Sequence, residues 1–372
     1  MKKYKWIFIA LSIVAVVYML MITAKSVMIW QAEREISHSV GLLKVIEPDD
    51  TLGYRLKSNL TEENGACFVY PDSSKIYSIC SDEMGNRATH NDSLATIPKG
   101  SLLFLGCSFT FGFFSDADSL YPKRISDQQA LSCKNAAMSG YGFSQMLMRA
   151  EQDIPHYKPQ VVFVQYSDWL IERSQSIHNI TIQPLQISNP YFYEENGAIK
   201  TALPLYNNKY MIDILKRMPQ KRNGLLNQLV TILQLDVIQI LNDLTNLKIY
   251  ALQSIGSIPS PTTDKQKIAL GFFEKMKQLC DYNHCRLIII GVGSQSFAVP
   301  SAYEFVNTDT VLKQYADSIH SSYEKLYHNW TANGKVDFDD HPNHFAHRKI
   351  ADAVNAYLVQ NDSAGIAKRA FD

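Results

Sequence analysis

An α/β fold with a parallel central sheet is predicted by short, mostly apolar runs that alternate with helical stretches. The runs lie at 101–105, 133–138, 161–164 and 287–290. Strands that are apolar on both faces are typical of parallel sheets covered by helices on both sides. The expected architecture is therefore three-layered, with helices on each face of one sheet.

The N-terminal residues 1–25 differ from the rest of the chain. Lys2, Lys3 and Lys5 precede Trp6–Ala24, a run of nineteen residues without a charge. As a helix this run is about 28 Å long, close to one hydrocarbon core. Because basic flanks stay in the cytoplasm, we expect an uncleaved, single-pass anchor in the inner membrane, with the bulk of the chain periplasmic. A cleaved signal peptide is the alternative, although its cleavage position near Ala24 is poor.

Residues 26–97 are predicted to form a stalk and then a small β-rich lead-in segment. A break at 47–50 ends the helical stalk, and short strands and turns follow as far as about Asn91. Cys67 and Cys80 bracket a turn there, and an exported chain permits disulfides. A Cys67–Cys80 disulfide is therefore predicted.

The apolar runs belong to the largest predicted domain. Its boundaries are 98–360, with an insert at about 174–261 and a C-terminal tail at 361–372. The insert is expected to contain a hairpin around Tyr191–Ile199 and an amphipathic helix over Leu225–Leu241. A last helix is predicted over Asn343–Gln360, because apolar residues recur on one of its faces.

The composition narrows the class of protein. Of 372 residues, 46% are hydrophobic and 19% are charged, which is enough apolar material for a globular core. Basic and acidic residues number 36 each, so the formal net charge is zero. Nucleic-acid-binding domains usually carry a basic excess, and no nucleic-acid partner is expected.

A serine follows the first apolar run, in Gly106-Cys107-Ser108. Open parallel sheets bind ligands beyond the carboxyl ends of their strands. A helix that begins there would place free N–H groups near developing negative charge. Ser108 is therefore a candidate nucleophile if a general base lies nearby; taken alone, it is better explained as an ordinary helix N-cap.

The candidate base lies near the end of the chain, in 337–343, Asp-Phe-Asp-Asp-His-Pro-Asn. An aspartate beside a histidine can fix the tautomer and stabilise the imidazolium formed in catalysis. A capping loop with a surface histidine is the alternative. His341, His344 and His347 also recur at a spacing of three, whereas helical zinc ligands are usually four apart. Neither a metal nor another cofactor is predicted.

Together these segments resemble the SGNH/GDSL hydrolase family, in particular its membrane-anchored bacterial members. The family's Gly-Asp-Ser block resembles 106–108, where Cys107 replaces the aspartate, and its second block resembles 135–140. The block with Asp before His-Pro-Asn resembles 339–343, and Gly85-Asn86-Arg87 resembles a lead-in found in anchored members. Order and spacing agree over 102–356.

The resemblance implies a flavodoxin-like three-layer fold and a catalytic triad of Ser108, His341 and Asp339. It also implies an oxyanion hole formed by the N–H groups of Ser108 and Gly140. The family's third block, Gly-x-Asn-Asp, aligns with 165–168 and has Ser167 at the oxyanion-binding asparagine. The Ser167 hydroxyl can donate one hydrogen bond, with Gln165 able to assist.

The orienting aspartate often lies three residues before the histidine in this family. Here that position is Phe338, so Asp339 is predicted, with Asp337 and Asp340 as alternatives.

Two functions follow from the resemblance. The first is a membrane-anchored, extracytoplasmic serine esterase or O-acyltransferase that acts on an acyl ester of a cell-envelope glycan or lipid. The second is a catalytically degenerate relative that binds a glycan or an envelope-assembly partner.

Overall fold

The computed structural model describes most of the chain. The described residues are 12–14, 16–21, 45–61, 68–69, 76–77, 79–88, 101–112, 115–179, 187–209, 212–213, 225–332, 335–338 and 341–361.

Strands and helices alternate through the described chain. The strands are β1 (Ile46–Asp49), β2 (Gly53–Leu56), β3 (Phe68–Val69), β4 (Ile76–Tyr77), β5 (Cys80–Ser81), β6 (Arg87–Ala88), β7 (Ser101–Leu105), β8 (Ser132–Asn135), β9 (Val161–Tyr166), β10 (Tyr191–Glu195), β11 (Ala198–Ala202), β12 (Arg286–Gly291), β13 (Glu304–Asn307), β14 (His328–Ala332) and β15 (Lys335–Phe338). The helices are α1 (Ser108–Phe111), α2 (Tyr121–Gln129), α3 (Phe143–Tyr157), α4 (Asp168–Ser174), α5 (Leu225–Ser254), α6 (Lys265–Tyr282), α7 (Thr308–Ser318) and α8 (His344–Asn361), with short 3₁₀ turns at Ala117–Ser119 and Tyr323–Tyr327.

The central sheet has the strand order β13-β12-β9-β7-β8-β6-β5. Its first five strands pair in parallel, and β6 and β5 add to one edge in antiparallel orientation. Numbered along the chain, the parallel strands read 2-1-3-4-5, the flavodoxin-like order. The predicted α/β fold with a central, mostly parallel sheet is confirmed.

Helices cover both faces of this sheet. On one face α8 packs against α2 and α7, and on the other α3, α4 and α6 pack together. The core between them is aromatic: the Phe104 and Phe163 rings stack at 4.6 Å, and those of Phe143 and Phe272 at 4.0 Å. Because β7 and β9 are buried along their whole length, their apolar sequences need no alternation.

The lead-in segment shares the central sheet. Its strands β5 and β6 extend the sheet beyond β8, and buried side chains fix them to α3. Arg149 donates to the Asn86 side chain at 2.8 Å and forms a buried ion pair with Asp153 at 2.6 Å. Part of the predicted β-rich pre-domain is therefore continuous with the domain that follows.

The predicted disulfide falls partly outside the described residues. Cys67 is not among them, so the Cys67–Cys80 bond stays a prediction. Cys280 and Cys285, which bracket the turn between α6 and β12, are both reduced. The Cys285 thiol donates instead to the Cys280 carbonyl oxygen at 3.5 Å.

The insert and the N-terminal run are described in part. The predicted hairpin is formed by β10 and β11, and the predicted helix extends further than expected, to Ser254. Of the predicted anchor, residues 12–14 and 16–21 are described, and they are helical. Among the described residues, no helix has both the length and the apolar character needed to cross a membrane.

Candidate active site

Ser108 lies at the point where the strand order reverses. Strand β7 ends at Leu105, and its neighbours are β8 on one side and β9 on the other. In such sheets the crevice at this switch point, beyond the carboxyl ends of the strands, is where ligands bind. Ser108 begins α1 there and is only 5% exposed.

One buried amide, the side chain of Gln165, holds the turn that carries Ser108. The Gln165 Oε1 atom accepts from the Cys107 N–H at 3.1 Å and from the Thr110 hydroxyl at 2.7 Å. Gly106 has to be a glycine here, because a Cβ atom would lie 2.0 Å from the Thr110 Oγ1 atom. The sequence places a glycine before the serine for close packing of the turn.

The Cys107 sulfur is surrounded by donors. Its Sγ atom accepts from Gln165 Nε2 at 3.2 Å and from the Trp169 indole N–H at 3.4 Å. The Ser108 hydroxyl points to the same sulfur at 3.9 Å, and within the described part of the chain this is its only hydrogen bond. Since sulfur is a weak acceptor, the hydroxyl is loosely held and can turn toward a base.

Arg87 closes the other end of the short helix α1. Its guanidinium donates to the carbonyl oxygens of Phe111, Gly112 and Ser115 at 2.6–2.8 Å. It also lies over the Phe111 ring, 4.7 Å from the centroid. Burial lowers the pKa of Arg87 to about 10, so it remains cationic at neutral pH beside the carbonyl end of the helix.

Two backbone N–H groups are available to an oxyanion. Within the described residues, the N–H groups of Ser108 and Gly140 have no hydrogen-bond acceptor. Gly140 has a φ of 82°, which suits glycine. Its loop is tied down because Asn179 donates to the Gly140 carbonyl at 3.3 Å and the Tyr54 hydroxyl to that of Ser139 at 2.7 Å.

Ser167 lies beyond the carboxyl end of β9 but is already engaged. Its hydroxyl donates to the Val292 carbonyl at 2.6 Å and accepts from Gln165 Nε2 at 2.9 Å. The side chain is fully buried. Because a hydroxyl has one proton, Ser167 has to break its hydrogen bond to Val292 before it can donate to an oxyanion. The side-chain N–H groups of Gln165 already donate to Cys107 and Ser167. The oxyanion role of Ser167 stays a prediction.

His341 reaches the same edge of the sheet from the far end of the sequence. Its ring lies 5.6 Å from the ring of Phe109, the residue next to Ser108. Asn343 fixes the loop that carries His341 to the start of α8. Its Oδ1 accepts from the N–H groups of Phe345 and Ala346 at 3.1 Å and caps the helix. The Asn343 N–H donates to the Leu326 carbonyl at 2.9 Å, which ties the cap to the 3₁₀ turn.

His341 therefore lies beside Phe109, the neighbour of Ser108. The loop that carries Gly140 lies beside Gly106, since the Met138 N–H donates to the Gly106 carbonyl at 3.2 Å. Asp339 and Asp340 lie outside the described residues, and Asp337 is in β15. Which carboxylate orients His341 stays a prediction.

An aromatic group beside Ser108 was not anticipated from the sequence. The Phe109 ring contacts the rings of Trp169 at 5.0 Å, His341 at 5.6 Å and Tyr327 at 5.9 Å. Gly293 packs on the indole, where a Cβ atom would lie 2.4 Å from Trp169. Phe109 and Tyr327 are buried, so this group is part of the core next to Ser108. The only sequence signal for it was the aromatic residue that follows Ser108.

His347, the last histidine of the predicted trio, is in the core. Its ring packs against Tyr121, whose backbone N–H donates to Nδ1 at 3.4 Å. Burial, assisted by the positive charges of Arg87 and Arg124, lowers the pKa of His347 to about 3. Among the described residues there is no cluster of three or more histidine, cysteine, aspartate or glutamate side chains that could hold a metal ion.

No protein-family model and no curated protein matches the chain. Solved structures similar to it include one described as a lipolytic protein of the G-D-S-L family from Desulfitobacterium hafniense (10% identity, TM-score 0.29, 70% of this chain and 100% of that one). A second is a GDSL-like lipase from Bacteroides thetaiotaomicron (11% identity, TM-score 0.29, 72% of this chain and 93% of that one). A third is a catalytic mutant of an acetylxylan esterase from Geobacillus stearothermophilus (12% identity, TM-score 0.28, 71% of this chain and 95% of that one). At these identities and TM-scores the likenesses are too weak to assign an activity, which rests on the motifs and the site geometry.

Proposed function

We propose that the protein is an ester-hydrolysing serine enzyme of the SGNH/GDSL type. The observation that supports the proposal is the ring contact between His341 and Phe109, the neighbour of Ser108, at the switch point of the parallel sheet. Ser108, Gly140 and His341 come from three separate parts of the sequence, and each would supply a different requirement of acyl transfer: a nucleophile, an oxyanion donor and a base.

The reaction follows from these positions. The Ser108 hydroxyl attacks the ester carbonyl while His341 accepts its proton, and Asp339 orients the imidazole and stabilises its charged form. The N–H groups of Ser108 and Gly140 stabilise the negative oxygen of the tetrahedral intermediate. His341 then returns the proton to the leaving alcohol, and an acyl-enzyme forms on Ser108. A second hydroxyl, from water or from an acceptor sugar, releases the acyl group by the same steps in reverse.

The hydroxyl of Ser108 has to move before it can react. In the free protein it lies toward the Cys107 sulfur, whereas catalysis needs it within about 2.6–3.2 Å of the base. Catalytic hydrogen bonds are often long or misaligned until substrate binds. We infer that substrate binding turns the hydroxyl toward His341.

We propose further that the protein is anchored in the membrane and acts on esters of the cell envelope. The charge-free run Trp6–Ala24 with its lysine-rich start supports a single-pass anchor, with the N-terminus in the cytoplasm and the site in the periplasm. Acyl esters of cell-envelope glycans or lipids are the substrates available there, by hydrolysis or by O-acyl transfer. A C-terminal reporter that is active only in the cytoplasm should stay silent; a strong signal would refute this topology.

A second candidate function is a binding protein without turnover. The observation that favours it is Ser167, whose only hydroxyl proton is donated to Val292. Losing one oxyanion donor costs about 2.7–4 kcal/mol of transition-state stabilisation, which would make a slow enzyme or none at all. Such a protein would still bind a glycan or an assembly partner at the same crevice.

A fluorophosphonate probe separates the two functions, because it reacts only with an activated serine. We expect stoichiometric labelling of the full-length protein at Ser108, shown by peptide mass spectrometry, and none in Ser108→Ala. Ser318→Ala, which changes an exposed serine at the end of α7, is the matched control and should label fully. An unlabelled but folded wild-type protein, beside a labelled reference esterase, would favour the binding function.

A further inference from the structure

Helix α5 buries one side against the protein and leaves the other side exposed. Asn242 and Ile249 are buried, and Ile249 packs with Ile177 and Tyr191. The opposite side is apolar, with Ile240 58%, Leu244 58% and Leu247 65% exposed. An exposed apolar stripe of this kind marks an interaction site.

The spacing of the stripe is that of a coiled coil. Positions 240, 244, 247 and 251 are apolar and exposed, at intervals of four, three and four residues. In the sequence the same intervals continue upstream through 226, 230, 233 and 237, again with apolar residues. We call the set from 226 to 251 the α5 seam. Its seven-residue repeat runs over about 39 Å of helix and predicts a partner helix with a matching repeat.

The upstream part of the α5 seam has residue types that favour two parallel strands. With 230, 237, 244 and 251 as the a positions, these residues are Val, Val, Leu and Ala, and the d positions 226, 233, 240 and 247 are Leu, Leu, Ile and Leu. A β-branched residue at a combined with leucine at d, as over 226–237, favours parallel dimers. A second copy of the same helix satisfies this pattern.

The charges beside the α5 seam fit the same arrangement. Asp243 and Lys248 are exposed on its two flanks, at a g and the following e position. In a parallel, in-register pair, a g residue meets the e residue five positions later on the partner. Asp243 therefore lies next to the partner's Lys248, and the two-fold axis repeats the pair. An antiparallel pair would not bring them together.

A lipid surface fits the helix less well. Helices that lie in a membrane interface are rich in lysine and arginine on their polar face. Over its 30 residues α5 has one lysine and no arginine. We propose that α5 is a dimerisation element that forms a two-stranded parallel coiled coil with a second copy of this chain.

Cysteine cross-linking in membranes of cells that express the full chain tests the register. Ile240→Cys places a thiol in the α5 seam, facing its own copy, and should give a disulfide-linked dimer on mild oxidation. Gln239→Cys is the matched control, since this exposed neighbour points away from the seam and should not cross-link above the parent chain. Equal cross-linking at both positions, or at neither, would overturn the proposal.

Substitution of the seam tests what holds the dimer. Leu244→Asp with Leu247→Asp buries charges at the interface and should raise the dimer dissociation constant at least about 100-fold. Because both side chains are exposed in one copy, circular dichroism and the melting temperature should not change when the protein is kept below the dissociation constant. Asp243→Lys alone and Lys248→Asp alone should each weaken the dimer, and the double swap should restore it.

The alternatives give distinct results in the same experiments. A full chain that is monomeric in mild detergent at micromolar concentration would overturn the proposal. So would a dimer that persists unchanged in the double aspartate variant, or a charge swap that fails to restore association. If the aspartate variant instead loses affinity for vesicles of anionic phospholipid while the parent stays monomeric, the seam is a lipid-binding surface.

Discussion

Ser108 and His341 reach the candidate site from parts of the fold that are held in different ways. The serine follows a fully buried strand, and the polar groups beneath it, from Gln165 to Thr110, are hydrogen-bonded to one another. The histidine lies on a loop before α8 and is positioned through a cap, Asn343, and a ring contact with Phe109. Geometry at the serine therefore depends on the packing of the core, whereas geometry at the histidine depends on local contacts.

The largest effect is expected from removing the reacting groups. Ser108→Ala should lower kcat for a model ester by about 10⁶-fold, and His341→Ala by nearly as much, because triad members act as a unit. The double variant should lose little more than either single one. Steady-state kinetics on homogeneous protein measure this.

His344→Ala is the matched control for the histidine, since it changes an exposed neighbour at the start of α8. Wild-type activity in Ser108→Ala would end the triad assignment. Because the geometry of His341 depends on local contacts and not on the core, His341→Ala should keep the melting temperature of the parent.

Asp339→Asn should have the next largest effect. It perturbs the tautomer and the charge balance of His341 without removing the base, and a comparable change in a serine protease costs about 10⁴-fold in kcat. Asp337→Asn and Asp340→Asn are the controls and should cost much less. If Asp340→Asn abolished turnover while Asp339→Asn did not, the orienting carboxylate would be Asp340.

Gln165→Leu tests whether the core sets the serine geometry. The substitution leaves the Cys107 N–H and the Thr110 hydroxyl without their acceptor, and each unsatisfied buried group costs about 1–3 kcal/mol. We expect kcat to fall about 10- to 100-fold together with the melting temperature. Kinetics and thermal unfolding on the same preparation measure both.

Gln160→Leu is the matched control, because its side-chain oxygen is buried and has no hydrogen-bond partner among the described residues, just before β9, the strand that carries Gln165. It should keep both activity and stability. Full activity in Gln165→Leu would show that the serine turn does not need this amide.

The sequence predicted the sheet-borne half of the site better than the loop-borne half. Apolar runs and the glycine before Ser108 place a turn at a strand end, because burial and close packing restrict those positions strongly. The hydrogen bonds of Gln165 and Ser167 could not be predicted, since they depend on which polar atoms the strand register brings together. For the same reason, Gly140 followed from the family resemblance and not from any local pattern.

For the α5 seam, the sequence contained the pattern but did not say which face of the helix is exposed. Its seven-residue repeat was present in the sequence, but amphipathic spacing alone predicts only a helix with a buried face. The structure adds which face is used: Asn242 and Ile249 meet the protein, and Leu244 does not. Exposure, not periodicity, distinguishes a docking face from a core face.

The smallest expected effect concerns the helix behind the histidine. His347 lies in the core on α8, and burial together with Arg87 and Arg124 lowers its pKa to about 3 from an ordinary value of 6.5. Above pH 6.5 the residue is neutral in the folded and unfolded chains and does not affect stability. As the pH falls below 6.5, the unfolded chain binds a proton at His347 that the folded chain does not bind, so stability is lost at about 1.4 kcal/mol per pH unit down to pH 3.

His347→Phe keeps the ring packing on Tyr121 and removes the titration. Between pH 7 and pH 5 this variant should lose about 2 kcal/mol less unfolding free energy than the parent, as measured by urea unfolding. The gap between the two proteins should stay constant from pH 7 to pH 8, which is the internal control. An equal loss in both proteins between pH 7 and pH 5 would show that His347 is not the group that couples α8 to acid.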